Sequence, residues 1–260
     1  MQVIFILALL TFGVLAIVKP HENGWVHCLI AAVTAFAVSG FLLTFVLPKL
    51  GPKLYAPVSY DQWFFIADTR LGSPSWWLGR ALATHPLLGW LARASYAESL
   101  NVGIVAVSAT MVSQGVARGW KCYATLTSQA FFAWPFYLMF PACGPAYAFP
   151  GFPWHIPKLI TPHVLQLSAY PNCMPSVHMS TALMAGFFVS RWRVGRWLGG
   201  VYVGFTVLAT LGLGEHYLID LLAAVPYTYA VLAVWGWVPG WDWRTLENQR
   251  KAFEQEEVGV

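Results

Sequence analysis

The sequence predicts an all-α protein, a polytopic transmembrane helix bundle, and three observations carry that prediction. The chain of 260 residues is 58% hydrophobic and only 10% charged, against about 25% charged in soluble domains. Its apolar residues gather in runs long enough to cross about 30 Å of hydrocarbon. Its 14 Trp and 11 Tyr suit a chain that repeatedly passes headgroup level, where amphipathic rings are favoured. The net charge of +4 comes from 15 Lys and Arg scattered between apolar runs. With no basic patch, nucleic acid is excluded as a partner, and the cations serve instead as topology signals.

Residues 1–60 hold two N-terminal spans and a loop. The first run, 3–18, lacks a basic segment before it and a small-x-small cleavage site after it, so it reads as a retained span rather than a signal peptide. A second run, 25–47, ends at Pro48, Gly51 and Pro52. In residues 61–94 Trp63, Phe64, Trp76, Trp77 and Trp90 alternate with Asp61, Asp68, Arg70, Arg80 and Arg93, which predicts an interfacial amphipathic helix. The region 95–238 supplies the catalytic transmembrane core, with spans at 95–116, 125–140, 176–190, 197–213 and 217–238. That makes seven spans in all. Between 141 and 175 the chain carries eight Pro or Gly residues at broken spacing, including Gly144, Pro145, Pro153 and Pro171, and so forms a loop rather than a membrane helix. Gly200 and Gly204 make a small-xxx-small face, predicting close helix packing inside the bundle. Residues 239–260 form a polar cytoplasmic tail.

Charge asymmetry sets the orientation. Arg118, Lys121, Arg191, Arg193 and Arg196 share one side with Lys19 and the tail cations, and that side is cytoplasmic by the positive-inside rule. His178, at the start of the fifth span, and His216, at the start of the seventh, then fall together on the extracytoplasmic face, periplasmic or luminal.

Two polar islands stand out because ionisable groups at the ends of apolar segments are expensive unless they do chemistry. They are Pro175-Ser176-Val177-His178 and Gly214-Glu215-His216-Tyr217-Leu218-Ile219-Asp220. His216 and Asp220 are four residues apart, so on one helix face the carboxylate can fix the imidazole tautomer and prepare a nucleophile. His178 can protonate a leaving oxygen and later activate an acceptor. This chemistry calls for no metal and no cofactor. His155 and His163 lack a third ligand at a metal-binding spacing.

These residues resemble a known family. The first island is similar to the PSxH motif, and the second, continuing to Ala223-Ala224-Val225-Pro226-Tyr227, to the HYxxD motif of the type 2 phosphatidic acid phosphatase superfamily. The likeness extends over residues 61–227. Phe140-Pro141-Ala142-Cys143-Gly144-Pro145 resembles the turn before the luminal loop in the branch containing inositol phosphorylceramide synthase. The resemblance implies a six-helix phosphatidic acid phosphatase-type core, preceded here by one extra N-terminal span, with His216 as nucleophile, Asp220 as its partner and His178 as general acid/base. It also implies a metal-independent reaction.

The sequence departs from the phosphatase members of that family. Their KxxxxxxRP motif is absent, Ala209 and Thr210 stand where they carry a Ser-Arg pair, and Ala146 stands where relatives of the branch carry Arg. Phosphate donors are therefore sought among Lys158, Tyr147, Tyr170, Asn172 and Ser176, all on the outer side. Cys143 and Cys173 flank the outer loop, and an oxidising compartment would permit a bridge between them. The leading function is a lipid phosphotransferase that moves a phosphoryl-containing headgroup from a membrane lipid to an alcohol acceptor. The alternatives are a lipid phosphate phosphatase, with water as acceptor, and a non-catalytic lipid transporter or scaffold.

Overall fold

The computed structural model describes residues 59–157 and 171–238. The expected N-terminal spans and C-terminal tail, together with Lys158, His163 and Tyr170, lie outside the described residues. Among the described residues all regular structure is helical: α1 (Asp61–Arg70), α2 (Pro74–Thr84), α3 (Pro86–Val112), α4 (Val116–Met139), α5 (Pro145–Ala148), α6 (Val177–Val189), α7 (Arg193–Gly212) and α8 (Leu218–Val234).

Local chemistry fixes the helix starts. Pro74, Pro86 and Pro145 open α2, α3 and α5, where the missing N–H removes a donor that would otherwise lack a partner. Ser176 caps α6, its hydroxyl accepting the Met179 N–H at 3.3 Å. Glycines at positive φ, Gly115 and Gly214, close the turns after α3 and α7.

Helix α6 lies at the centre, packed on α3, α4, α7 and α8. Polar side chains stitch this interior. Gln129 on α4 donates to Thr181 Oγ1 on α6 at 2.5 Å, the Tyr227 hydroxyl on α8 donates to the Gln129 carbonyl, and Thr228 bonds Ser180 at 2.9 Å. Such bonds hold helices together where apolar burial cannot drive association.

The outward face of α7 is apolar: Val194, Trp197, Leu198 and Val201 are each at least 64% exposed. Left in water, each would forfeit about 1.5–3 kcal/mol of burial. The 20 residues of α7 are long and apolar enough to cross a membrane. Helices α6 and α8 are apolar but shorter, at 13 and 17 residues.

Two expectations need correction. Gly200 and Gly204 make no close helix contact among the described residues, because a Cβ on either would meet nothing there within 4 Å. The close approach belongs to Gly199, whose Cβ would lie 2.8 Å from the Gly186 Cα of α6. The register of α7, with its Trp197 and Leu198 side turned outward, sends Gly200 and Gly204 away from α6. The polar residues of 61–94 likewise do not form one wet face. Asp61 and Asp68 are buried, whereas Trp63, Trp77 and Trp90 are about 60% exposed. The segment is two short helices and the opening turns of α3, which runs unbroken past residue 94.

Candidate active site

Both polar islands lie where the chain enters a helix, and the backbone ties them to each other. The Ser176 N–H donates to the Asp220 carbonyl at 3.3 Å, so the start of α6 is fixed against the first turn of α8. After α7, Gly214 turns with φ +72°. The N–H groups of Glu215 and His216 then return to the Thr210 carbonyl at 3.1 and 3.2 Å. Ser75 of α2 donates its hydroxyl to the His216 carbonyl at 3.3 Å. His216 is thereby held by its backbone on both sides, and its side chain is buried.

His216 Nδ1 lies 3.6 Å from Asp220 Oδ2, an ion-pair separation rather than a hydrogen bond. The same carboxylate oxygen accepts the Tyr217 N–H at 2.9 Å, which fixes it at the start of α8. The ring of His178, half-buried at the second position of α6, meets His216 edge to face, with centroids 6.1 Å apart and planes at 64°. Tyr96 of α3 stacks on His178 at 4.1 Å and 23°.

The other predicted residues are spread more widely. Ser176 serves as the cap of α6. The half-exposed Tyr147 donates its hydroxyl to Glu215 Oε1 at 2.9 Å, and burial, then Glu215, pushes its phenol up to about 12. Asn172 is exposed on the loop before α6. Cys143 and Cys173 are both buried and present as thiols rather than as a disulfide. Burial pushes the Cys173 thiol well up, and its sulfur donates to the Glu215 carbonyl at 3.2 Å. Thr210, in place of an arginine, turns its hydroxyl back to the Thr206 carbonyl at 2.7 Å.

Among the described residues, Cys173, His216 and Asp220 bring ligand atoms within 4.8 Å of one another, a set that could hold a metal ion. Two of the three also form the histidine–carboxylate pair.

Sequence reasoning missed the contribution of α1. Asp61 is 1% exposed and accepts hydrogen bonds from the Tyr217 hydroxyl at 2.8 Å, the Gly144 N–H at 2.9 Å and the Cys143 N–H at 3.0 Å. Ser59 donates its hydroxyl to the same carboxylate. Asp68, seven residues on, accepts the Leu218 N–H at 2.9 Å. Desolvation pushes both carboxyls above their ordinary range, and those hydrogen bonds pull the other way. The available signal was two acids two turns apart on one helix, in a chain with only 11 Asp and Glu. Tyr96 left no such signal.

A family model described as the PAP2 superfamily matches residues 62–234. No curated protein and no solved structure matches the chain.

Proposed function

Because this chain belongs to the PAP2 superfamily, we propose that it is a membrane-embedded lipid phosphotransferase of the inositol phosphorylceramide synthase-like kind. The observation that carries the proposal is the edge-to-face pair His178–His216 at 6.1 Å, with Asp220 behind His216.

In the first step a nitrogen of His216 attacks phosphorus, and the bond from phosphorus to the lipid oxygen breaks as His178 gives that oxygen a proton. Asp220 stabilises the imidazolium that develops. In the second step His178 takes the proton of an alcohol acceptor, whose oxygen displaces His216 from phosphorus. The intermediate is a phosphohistidine.

The apolar outer face of α7 supports a bilayer setting. In the proposed topology the six-helix core faces its histidines to the extracytoplasmic side, where the turns at 141–157 and 171–176 cover them. Irregular backbone at membrane depth requires such protein cover.

Transfer is favoured over hydrolysis because Ala209 and Thr210 stand in place of the Ser-Arg pair of the phosphatases, which removes its arginine. Hydrolysis of phosphatidic acid or a prenyl diphosphate at the same site is the second reading. Purified protein is given a labelled lipid with and without an added alcohol. A transferase gives a new labelled lipid only when the alcohol is present, whereas a phosphatase releases soluble phosphate without it. A transporter or scaffold does neither, and its lipid movement survives His216→Ala.

A further inference from the structure

We infer that Asp61 is a positioning residue for His216, acting from α1 through Tyr217 and the turn at Cys143-Gly144. The inference rests on the reading of His216 as nucleophile.

Three of Asp61's donors lie on the two segments that enclose the histidine. Tyr217 follows His216 directly and is fully buried, with its hydroxyl 2.8 Å from Asp61 Oδ1. The amides of Cys143 and Gly144 belong to the turn packed against Glu215, the residue before His216. That approach is so tight that a Cβ on Gly144 would lie 2.4 Å from the Glu215 carbonyl oxygen. The Ala146 N–H donates to the Gly214 carbonyl at 2.9 Å, which adds a second tie between the same segments. One carboxylate therefore fixes the chain immediately before and immediately after the nucleophile.

Asp68 adds a second anchor two turns along α1. Its acceptance of the Leu218 N–H satisfies one of the amides that the first turn of α8 leaves without a helical partner. The pair thus grips both the side chain of Tyr217 and the backbone that follows it.

The alternative is that α1 is ordinary structural cement. Its packing argues otherwise. Helix α1 lies against α8, α2 and the short α5, and none of its residues enters the principal apolar core built by α3, α4, α6 and α8. Its buried rings, Phe64 and Phe65, belong instead to the cluster around Tyr217 and Trp76. A buried carboxylate costs several kcal/mol unless charge-assisted hydrogen bonds offset it. Here, apart from the local bond from Ser59, the hydrogen bonds to Asp61 come from the segments that hold the site.

The test uses the full-length protein in detergent micelles with a fluorescent short-chain phosphatidic acid, and an alcohol acceptor where turnover requires one. Orthovanadate, which adopts the geometry of a phosphoryl group in transfer, is the second probe. Asp61→Asn keeps the volume but turns a donor toward groups that are themselves donors, and Tyr217→Phe removes only the hydroxyl. Each is expected to lower kcat about 10- to 100-fold, as a displacement of about 1 Å does. KM should stay within about twofold, and vanadate should bind correspondingly more weakly. The double variant should be no worse than the poorer single one, because both changes break the same contact. The inference is overturned if Asp61→Asn keeps kcat and vanadate affinity within about twofold. It is equally overturned if kcat falls only in step with the thermal midpoint while the two changes add. Turnover that survives His216→Ala removes the nucleophile reading, and this inference with it, through a different variant.

Discussion

Tyr96 lies flat against His178, ring centroids 4.1 Å apart and planes inclined by only 23°. The two residues come from different helices, α3 and α6, and the same imidazole meets His216 edge to face. An aromatic pair of this kind contributes about 1 kcal/mol beyond its buried area. If that energy fixes the ring of the general acid, Tyr96→Leu lowers kcat about fivefold, while Tyr96→Phe keeps the stack and stays near wild type. Steady-state kinetics on the two variants decides the point, and an equal loss in both would assign the effect to the hydroxyl instead.

The pair His216–Asp220 makes a sharper prediction. Asp220→Asn preserves shape and one acceptor for the Tyr217 N–H, but it removes the charge that steadies the imidazolium. By comparison with other histidine–carboxylate pairs, kcat should fall about 10³-fold or more, with the thermal midpoint little changed. Single-turnover measurement of the phosphoenzyme should show that its formation, rather than lipid binding, is what slows. A variant that forms the intermediate at the wild-type rate would make Asp220 a helix cap and nothing more.

The parts of the fold and site that could be read from the sequence are those that obey local rules. The spacing of His216 and Asp220 rightly pairs them, though across the turn into α8 rather than on one helix face, because α8 begins only at Leu218 and His216 precedes its cap Tyr217. Ser176 before an apolar run marks the start of α6. The Pro- and Gly-rich stretch after residue 140 declares itself a loop. What stayed hidden depends on contacts between distant segments. Asp61 meets Tyr217 across 156 positions, and its spacing from Asp68 hints at a shared face without saying what that face meets. The register of α7 is concealed in the same way, since Gly195, Gly199, Gly200 and Gly204 look alike in sequence and only packing separates them.

That register can be tested. A Cβ on Gly199 would meet the Gly186 Cα at 2.8 Å, whereas one on Gly200 meets nothing within 4 Å. Gly199→Ala should therefore force α6 and α7 apart and cost about 1–3 kcal/mol. Gly200→Ala should be neutral or stabilise by up to about 1 kcal/mol through helix propensity. Thermal or denaturant unfolding in micelles reads both, and the reverse order would place the α6–α7 contact on the other face.

Metal dependence gives a further check, because Cys173, His216 and Asp220 place their ligand atoms within 4.8 Å. In the histidine mechanism those atoms of His216 and Asp220 are needed for each other. Chelation with EDTA is then expected to leave turnover unchanged, and added Zn²⁺ to inhibit by separating the pair. Loss of activity on chelation, restored by one particular metal, would replace the phosphohistidine route with a metal-assisted one.

The buried acids of α1 predict how stability depends on pH. Desolvation raises the carboxyls of Asp61 and Asp68 from 3.8, so between 3.8 and the raised value the folded protein keeps protons that the unfolded chain has lost. In that window the native state binds more protons, and stability falls as pH rises. Above the raised value the contribution is constant. The thermal midpoint, measured from about pH 4 upward, should therefore carry a downward component that flattens. Asp61→Asn and Asp68→Asn should each remove a share of it, since an amide does not titrate. If both variants keep the wild-type slope, the two carboxylates are ionised throughout that range. The hydrogen bonds from Tyr217, Gly144 and Leu218 would then outweigh the cost of burying charge.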